Sequence, residues 1–365
     1  MIILKEHDVV SLLSNLTPIE THQLLWRFQG ILKRYTQNQS LPPKEQIIHQ
    51  PERVSITTTT GNTTLFMPSS LTTTTGIKVV TVPTSGIIKG SINVFAPDGE
   101  LKGVLNAGEI TAFRTSLAVM IPFVRYSGSK SNVLVFGAGR QAEWHIRLAL
   151  LLAHDNTNDD KNTTTSTTTT SIGDRIRHIT IVNRNDPGRL GPIVEELRQR
   201  YKDVKFEFLF KNDGAYATKL RDKIGAADVI FGCTPATEPH FPFEYLTHEH
   251  DGVVKSRRFI GLIGSYKPHM QEVDSKTILS GDGGRIYVDT IHGCLVEAGE
   301  LIMANVTKDQ LVEVGQFQGQ DEGPLPDKGN VIFKCVGLGI MDLFMADELL
   351  ALASGKGLGL AINDF

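Results

Sequence analysis

One stretch constrains the fold of this chain more than any other: Val133-Leu134-Val135-Phe136-Gly137-Ala138-Gly139-Arg140-Gln141-Ala142. Four apolar residues read as a short buried strand. A Gly-x-Gly turn follows, and the spacing after it is helical. Gly137 permits the tight turn and Gly139 lets the backbone approach a pyrophosphate. Ala142 keeps the helix close to the strand, in place of a third glycine. Phosphates would then meet the amides at the helix start, so Gly137, Ala138, Gly139, Arg140 and Gln141 are candidate dinucleotide-binding residues. A Gly-x-Gly pair alone is weak evidence, and a ligand-free βα turn is the bland alternative. The sequence that follows strengthens the motif.

Downstream, short apolar segments alternate with helical ones. Strands are predicted at 179–182, 204–209, 227–231, 259–263 and 286–288, with helices at 142–153 and 192–201. That alternation predicts a parallel sheet covered on both faces. The domain switch is placed near 126–130. A polar Gly/Pro-rich linker at 323–328 precedes one more strand and helix (331–350), read as returning to the first domain.

The first domain reads differently. Helical spacing runs to about residue 37, with Thr17 as N-cap, Pro18 at the first helical position and Glu20 closing a capping box. From 51 to 104 the pattern is β. Threonine runs at 57–60 and 72–75 adjoin apolar segments and suit hairpin strands ending in turns. A denser Thr/Asn/Asp/Ser stretch, 155–171, has nothing to bury and is expected to be a disordered insertion.

The residue that selects the adenosine ribose is expected at the end of the second strand, about 20 residues past the glycines. Here that strand ends at Val182, followed by Asn183-Arg184-Asn185, and the insertion accounts for the extra distance. No carboxylate stands there to repel a 2′-phosphate. Asn183 with Arg184 therefore suits NADP(H), with NAD(H) as the alternative. Further on, Cys233-Thr234-Pro235 follows another strand, where a loop would cover the nicotinamide side. Thr234 is placed there as a cofactor hydrogen-bonding group, against the alternative of an ordinary Pro-rich turn.

Composition narrows the function classes. The 365 residues carry 37 basic and 40 acidic side chains, a net charge of −3, which argues against a basic nucleic-acid-binding face. No apolar run approaches the ~18–20 residues of a membrane span. Lys5, Glu6, His7 and Asp8 come too early for a secretory signal core. Three separated cysteines provide neither a disulfide framework nor a zinc site, so no metal is expected and the cytoplasm is the expected location.

Three cations in the first domain stand out. Lys78 lies within Gly76-Ile77-Lys78-Val79-Val80-Thr81-Val82. A lysine in so apolar a strand needs an edge position, a partner or a chemical task. Arg53 precedes a β segment, and Arg114 lies at a helix start in Thr111-Ala112-Phe113-Arg114-Thr115.

Together the segments 76–82, 105–115, 135–145, 182–184, 227–241, 264–274, 296–302 and 333–342 resemble the ornithine cyclodeaminase/mu-crystallin family in its own order. The resemblance implies an α/β chain. A Rossmann NAD(P)-binding domain, 129–325, is inserted into a discontinuous α+β substrate-binding and dimerisation domain, 1–128 and 326–365, and the protein is a homodimer. It implies that Arg53 and Arg114 hold a substrate carboxylate and that Lys78 is the catalytic group near the reacting carbon. The family's cyclodeaminases carry an aspartate in the loop matching Gly264-Ser265-Tyr266-Lys267-Pro268, where this chain has Tyr266. That departure favours an NAD(P)H-dependent reductase of small cyclic ketimine carboxylates, of the pyrroline-2-carboxylate or piperideine-2-carboxylate type. Ornithine cyclodeaminase, a lyase releasing proline and ammonia, is one alternative. A non-catalytic, mu-crystallin-like NADPH-binding protein is another. The expected partner is a small imino or amino acid, with no nucleic acid and no membrane.

Overall fold

A computed structural model describes residues 1–153, 175–317 and 325–363; the stretch read as an insertion, 155–171, lies outside them. The chain divides into two compact units, Met1–Thr115 with Gly337–Phe365, and Ser116–Val336.

The first unit is built on an eight-stranded sheet. Its order is Leu360–Ala361, Ile2–Leu4, Leu101–Asn106, Lys89–Phe95, Thr74–Val82, Thr63–Leu71 and Ile48–His49, with Val54–Thr57 also pairing on Thr63–Leu71. The threonine runs become turns, as expected. The first closes at Thr58–Asn62, where the Thr58 amide donates to the Asn62 carbonyl. The second joins Leu71 to its cross-strand partner Thr74. Helix Pro18–Asn38 starts at the expected box: the Glu20 amide donates to Thr17 Oγ1 and the Thr17 amide to Glu20 Oε2. The C-terminal helix Gly339–Lys356 belongs to this unit. It lies close to the sheet because glycines face it. A Cβ on Gly76 would come 2.7 Å from Leu343, and one on Gly103 would come 2.5 Å from Leu350. Strand Ile2–Leu4 escaped the sequence reading, since three residues ahead of a helix carry no legible period.

The second unit carries eight parallel strands in the order Lys205–Phe210, His178–Asn183, Asn132–Phe136, Val229–Gly232, Phe259–Leu262, Asn330–Lys334, Gly281–Val288 and Leu311–Glu313. All the strands expected between 133 and 288 are present. Asn330–Lys334 pairs between Phe259–Leu262 and Gly281–Val288, so the chain leaves this sheet only after Lys334, later than the 326 drawn from the linker. The glycine-motif strand lies between the second and fourth strands of the unit. Strand order therefore reverses between Asn132–Phe136 and Val229–Gly232. In open α/β sheets that reversal opens a crevice at the strands' carboxyl ends.

Helix Ala107–Arg125 is long and apolar enough to cross a membrane by composition, yet 83% of its most apolar window is buried in the protein. It is the single such helix among the described residues.

Candidate functional site

In the first unit, Lys78 occupies a central strand position, paired on one side with Met67 and on the other with Ile92. An edge position is thus excluded, and only 3% of the residue is exposed. Its partner is Asp342 on helix Gly339–Lys356: Lys78 Nζ donates to Asp342 Oδ2 at 2.7 Å. Arg114 Nε donates to the other oxygen, Oδ1, at 3.2 Å. The Arg114 guanidinium fits because Gly337 has no side chain; a Cβ there would fall 2.4 Å from Nη1. Arg53 is half-buried and near enough to bear on Lys78. Burial, the largest influence, brings the Lys78 pKa down to about 8; Asp342 opposes the shift, while Arg114 and Arg53 reinforce it. Lys78, Arg114 and Arg53 bring three cations together around Asp342, and such a set suits an anionic ligand.

Asp342 was not singled out from the sequence. Its signal was the one that marked Lys78: a charge in an apolar run, here Gly339-Ile340-Met341-Asp342-Leu343-Phe344-Met345.

In the second unit, the glycine motif takes the geometry that its chemistry requires. Gly137 has φ +111°, and a Cβ would lie 2.8 Å from Thr234 Cγ2. Gly139 is exposed, with open space where a Cβ would point. Its carbonyl accepts from the Glu143 amide and so begins helix Arg140–Ala153. Ala138 and Ala142 are buried, while Arg140 and Gln141 are half-buried. The buried Gln141 Oε1 has no hydrogen-bond partner. A bare turn, a helix start and an unpartnered amide oxygen make a cradle that fits a dinucleotide's phosphates and the hydroxyls beside them.

The loop after the second strand lies against this turn. A Cβ on Gly188 would come 3.3 Å from Ala138. Asn183 Nδ2 donates to the Asp186 carbonyl at 2.7 Å, and the Gly188 amide donates to Asp186 Oδ1, so the Asn183 amide shapes the loop. Arg184 is exposed on it. Thr234 is half-buried in the loop after Val229–Gly232, its Oγ1 2.7 Å from His240 Nε2.

Beneath these loops is a buried polar cluster that sequence reading did not find. Glu272 accepts from the Thr234 amide at 3.2 Å and from the Gly264 amide at 2.6 Å. Burial favours its neutral acid, but the nearby His240 ring, the charge of Lys334 and the Gly264 amide hold its pKa below the ordinary value. Lys334 is fully buried and pairs with Glu300 at 3.0 Å. Burial opposes its charge, yet Glu300 and Glu272 keep its pKa above the usual lysine value. Ser265 bridges the pair, accepting from Lys334 Nζ and donating to Glu300. No local pattern marks Glu272, which lies in a loop and meets its partners only on folding.

Two other ionisable residues near the glycine motif are packed and not reactive. His145 is buried, with Nδ1 2.7 Å from the Gln141 carbonyl. Burial lowers its pKa to about 4, which leaves a neutral packed ring. The Cys233 thiol is pushed well above its usual pKa by burial and by Glu272, so it is no ready nucleophile.

No family model matches the chain. It is 27% identical over 315 residues to a Delta(1)-pyrroline-2-carboxylate reductase of Bacillus cereus, covering 82% of this chain and 84% of that protein. It is 24% identical over 261 residues to the ketimine reductase mu-crystallin of Rattus norvegicus, covering 71% of this chain and 67% of that protein. Its fold matches that of the Delta(1)-pyrroline-2-carboxylate reductase of Thermococcus litoralis, solved with NADH and L-proline, at a TM-score of 0.74 and 19% identity, covering 99% of this chain and 100% of that one. The resemblance to the ornithine cyclodeaminase/mu-crystallin family holds in sequence and in fold.

Proposed function

We propose that this chain is an NADP(H)-preferring oxidoreductase that reduces the C=N bond of a small cyclic ketimine carboxylate, of the pyrroline-2-carboxylate or piperideine-2-carboxylate type. The observation that carries the reading is the buried group of Lys78, Arg114 and Asp342 on the first unit. The imine-reductase names of its relatives support the same chemistry.

In this reading Arg114 and Arg53 bind the substrate carboxylate. A guanidinium offers two parallel donors to it, which fixes orientation as well as charge. Asp342 holds Arg114 and Lys78 at a set spacing. Lys78 holds a proton on Nζ for the imine nitrogen. With its pKa near 8 it gives up that proton more readily than an ordinary lysine, while remaining mostly protonated at neutral pH. On the second unit, Gly137, Ala138, Gly139, Arg140 and Gln141 would hold the pyrophosphate. Asn183 and Arg184 would face the adenosine ribose, and Thr234 would bond the nicotinamide end. The bound dinucleotide supplies the hydride. Arg184, exposed and following a second strand that ends in Asn183 and not an acid, supports the NADP(H) preference. A homodimer and a cytoplasmic location belong to the same proposal.

The test is a panel of cyclic ketimine carboxylates, linear keto acids with ammonia, and ornithine, each run with NADPH and with NADH. The expected result is oxidation of NADPH, faster than of NADH, with a cyclic imine. Ammonia and proline formed from ornithine, with no net change in the nucleotide, would replace this reading with the cyclodeaminase one. Tight NADPH binding without turnover on any substrate would leave a binding protein.

A further inference from the structure

Glu272 sits where three loops at the carboxyl ends of the parallel strands meet. One oxygen accepts the Thr234 amide, from the loop after Val229–Gly232; the other accepts the Gly264 amide, from the loop after Phe259–Leu262. The first of these loops touches the glycine turn, since Gly137 leaves no room for a Cβ against Thr234. The two loops also touch each other: a Cβ on Gly264 would be 1.9 Å from the Thr234 carbonyl. Gly232 leaves room for the carboxylate itself, with a Cβ there 2.7 Å from Glu272 Oε1. The Glu272 carbonyl in turn accepts the His240 amide.

His240 completes the set. Its ring stacks on Phe136 with centroids 4.5 Å apart, so it is held face-on at the end of the glycine-motif strand. Nε2 lies 2.7 Å from Thr234 Oγ1 and 3.8 Å from Glu272 Oε1. A carboxylate at that distance favours the tautomer with its proton on Nε2. Nε2–H then donates to Thr234 Oγ1. Thr234 has one hydroxyl proton, and with its oxygen already accepting, that proton is free to donate elsewhere.

We infer that Glu272 is a positioning residue that, through His240 and the Thr234 amide, fixes the Thr234 hydroxyl as a donor toward an oxygen acceptor on the nicotinamide half of the dinucleotide. The inference rests on the dinucleotide reading above and extends it to a loop anchor away from the glycine motif. Glu272 and His240 act through Thr234 and not on the ligand themselves.

The test is a double-mutant cycle on dinucleotide affinity, read from the fluorescence of bound NADPH and NADH, with thermal unfolding followed in parallel. Thr234→Val removes the hydroxyl and keeps the shape. It is expected to weaken binding about three- to tenfold, the worth of one neutral hydrogen bond. Glu272→Gln places an NH₂ against a backbone amide that needs an acceptor, and is expected to weaken binding by a similar factor. The double variant is expected to lose no more than the weaker-binding single variant, because both act through one hydroxyl. His240→Phe, which keeps the stack on Phe136 and loses Nε2, should behave as Glu272→Gln does, and it carries the cycle if that variant does not fold. Multiplicative losses in the double variants, or wild-type affinity in both Glu272→Gln and His240→Phe, would overturn the inference and leave dinucleotide binding intact. Failure of the wild-type protein to bind either nucleotide would overturn both readings.

Discussion

Lys78 and Asp342 show how much one residue pair can set. A lysine ammonium in a central strand would be costly if unpaired, and truncating either partner of a buried pair leaves the other charge stranded. Here Asp342 recovers part of the desolvation while the arginines keep the lysine from regaining its usual affinity for protons, and the pKa settles near 8. If protonated Lys78 is the donor, kcat/KM for imine reduction is flat below about pH 8 and falls above it, as the folded protein loses that proton. Asp342→Asn removes the charge that raises the pKa, so the fall moves to lower pH. An unmoved profile in that variant would assign the donor elsewhere. Lys78→Met should lower kcat/KM by about 10²–10⁴, the usual worth of a positioned acid, with dinucleotide affinity unchanged. Lys78 stood out as a single ionisable residue in an apolar run, and Asp342 lies in a run of the same kind. Their pairing did not stand out, because 264 positions separate them in sequence.

Among the elements, the strand–turn–helix at 132–153 was the most legible, since each of its parts is a local rule. The apolar run makes the strand, the glycines make the turn and the 3.6-residue spacing makes the helix. Gly137→Ala tests the turn directly. A side chain at φ +111° is strained by roughly 1–3 kcal/mol, and its Cβ would press on Thr234. A lowered melting temperature together with lost dinucleotide affinity is expected. Wild-type affinity in a folded Gly137→Ala protein would mean that the turn does not shape the cradle. Elements without such rules were not read: Leu311–Glu313 and Ile2–Leu4 are three residues each, too short to show a period, and pairing with a neighbour strand defines them.

For the whole molecule, the informative feature is that the first unit is completed by chain that follows the second. Helix Gly339–Lys356 carries Asp342 and also buries Ile340, Met341, Leu343, Met345, Ala346 and Leu349. Truncation after Val336 is therefore expected to unfold the first unit rather than merely disable it, seen as loss of β-sheet signal in circular dichroism and exposure of apolar surface to a hydrophobic dye. Retention of a native-like first unit in the truncated chain would mean that the helix is dispensable to its fold.

The sequence by itself determined whatever follows from neighbours along the chain: the glycine turn and its helix, the alternation that makes a parallel sheet, the capped helix at Thr17, the return of the last helix to the first domain, the lack of an acid at the strand end Val182-Asn183-Arg184 and the isolated charge at Lys78. These rest on backbone freedom and on periodicity, which act within a few residues. Tertiary structure alone decided which strand lies beside which, the retention of Asn330–Lys334 in the second sheet, the partner of Lys78 and the gathering of Glu272, His240 and Thr234 around one hydroxyl. Those outcomes depend on contacts between segments tens to hundreds of residues apart. A buried carboxylate takes its partners from whatever the fold brings to it, and no local pattern announces them.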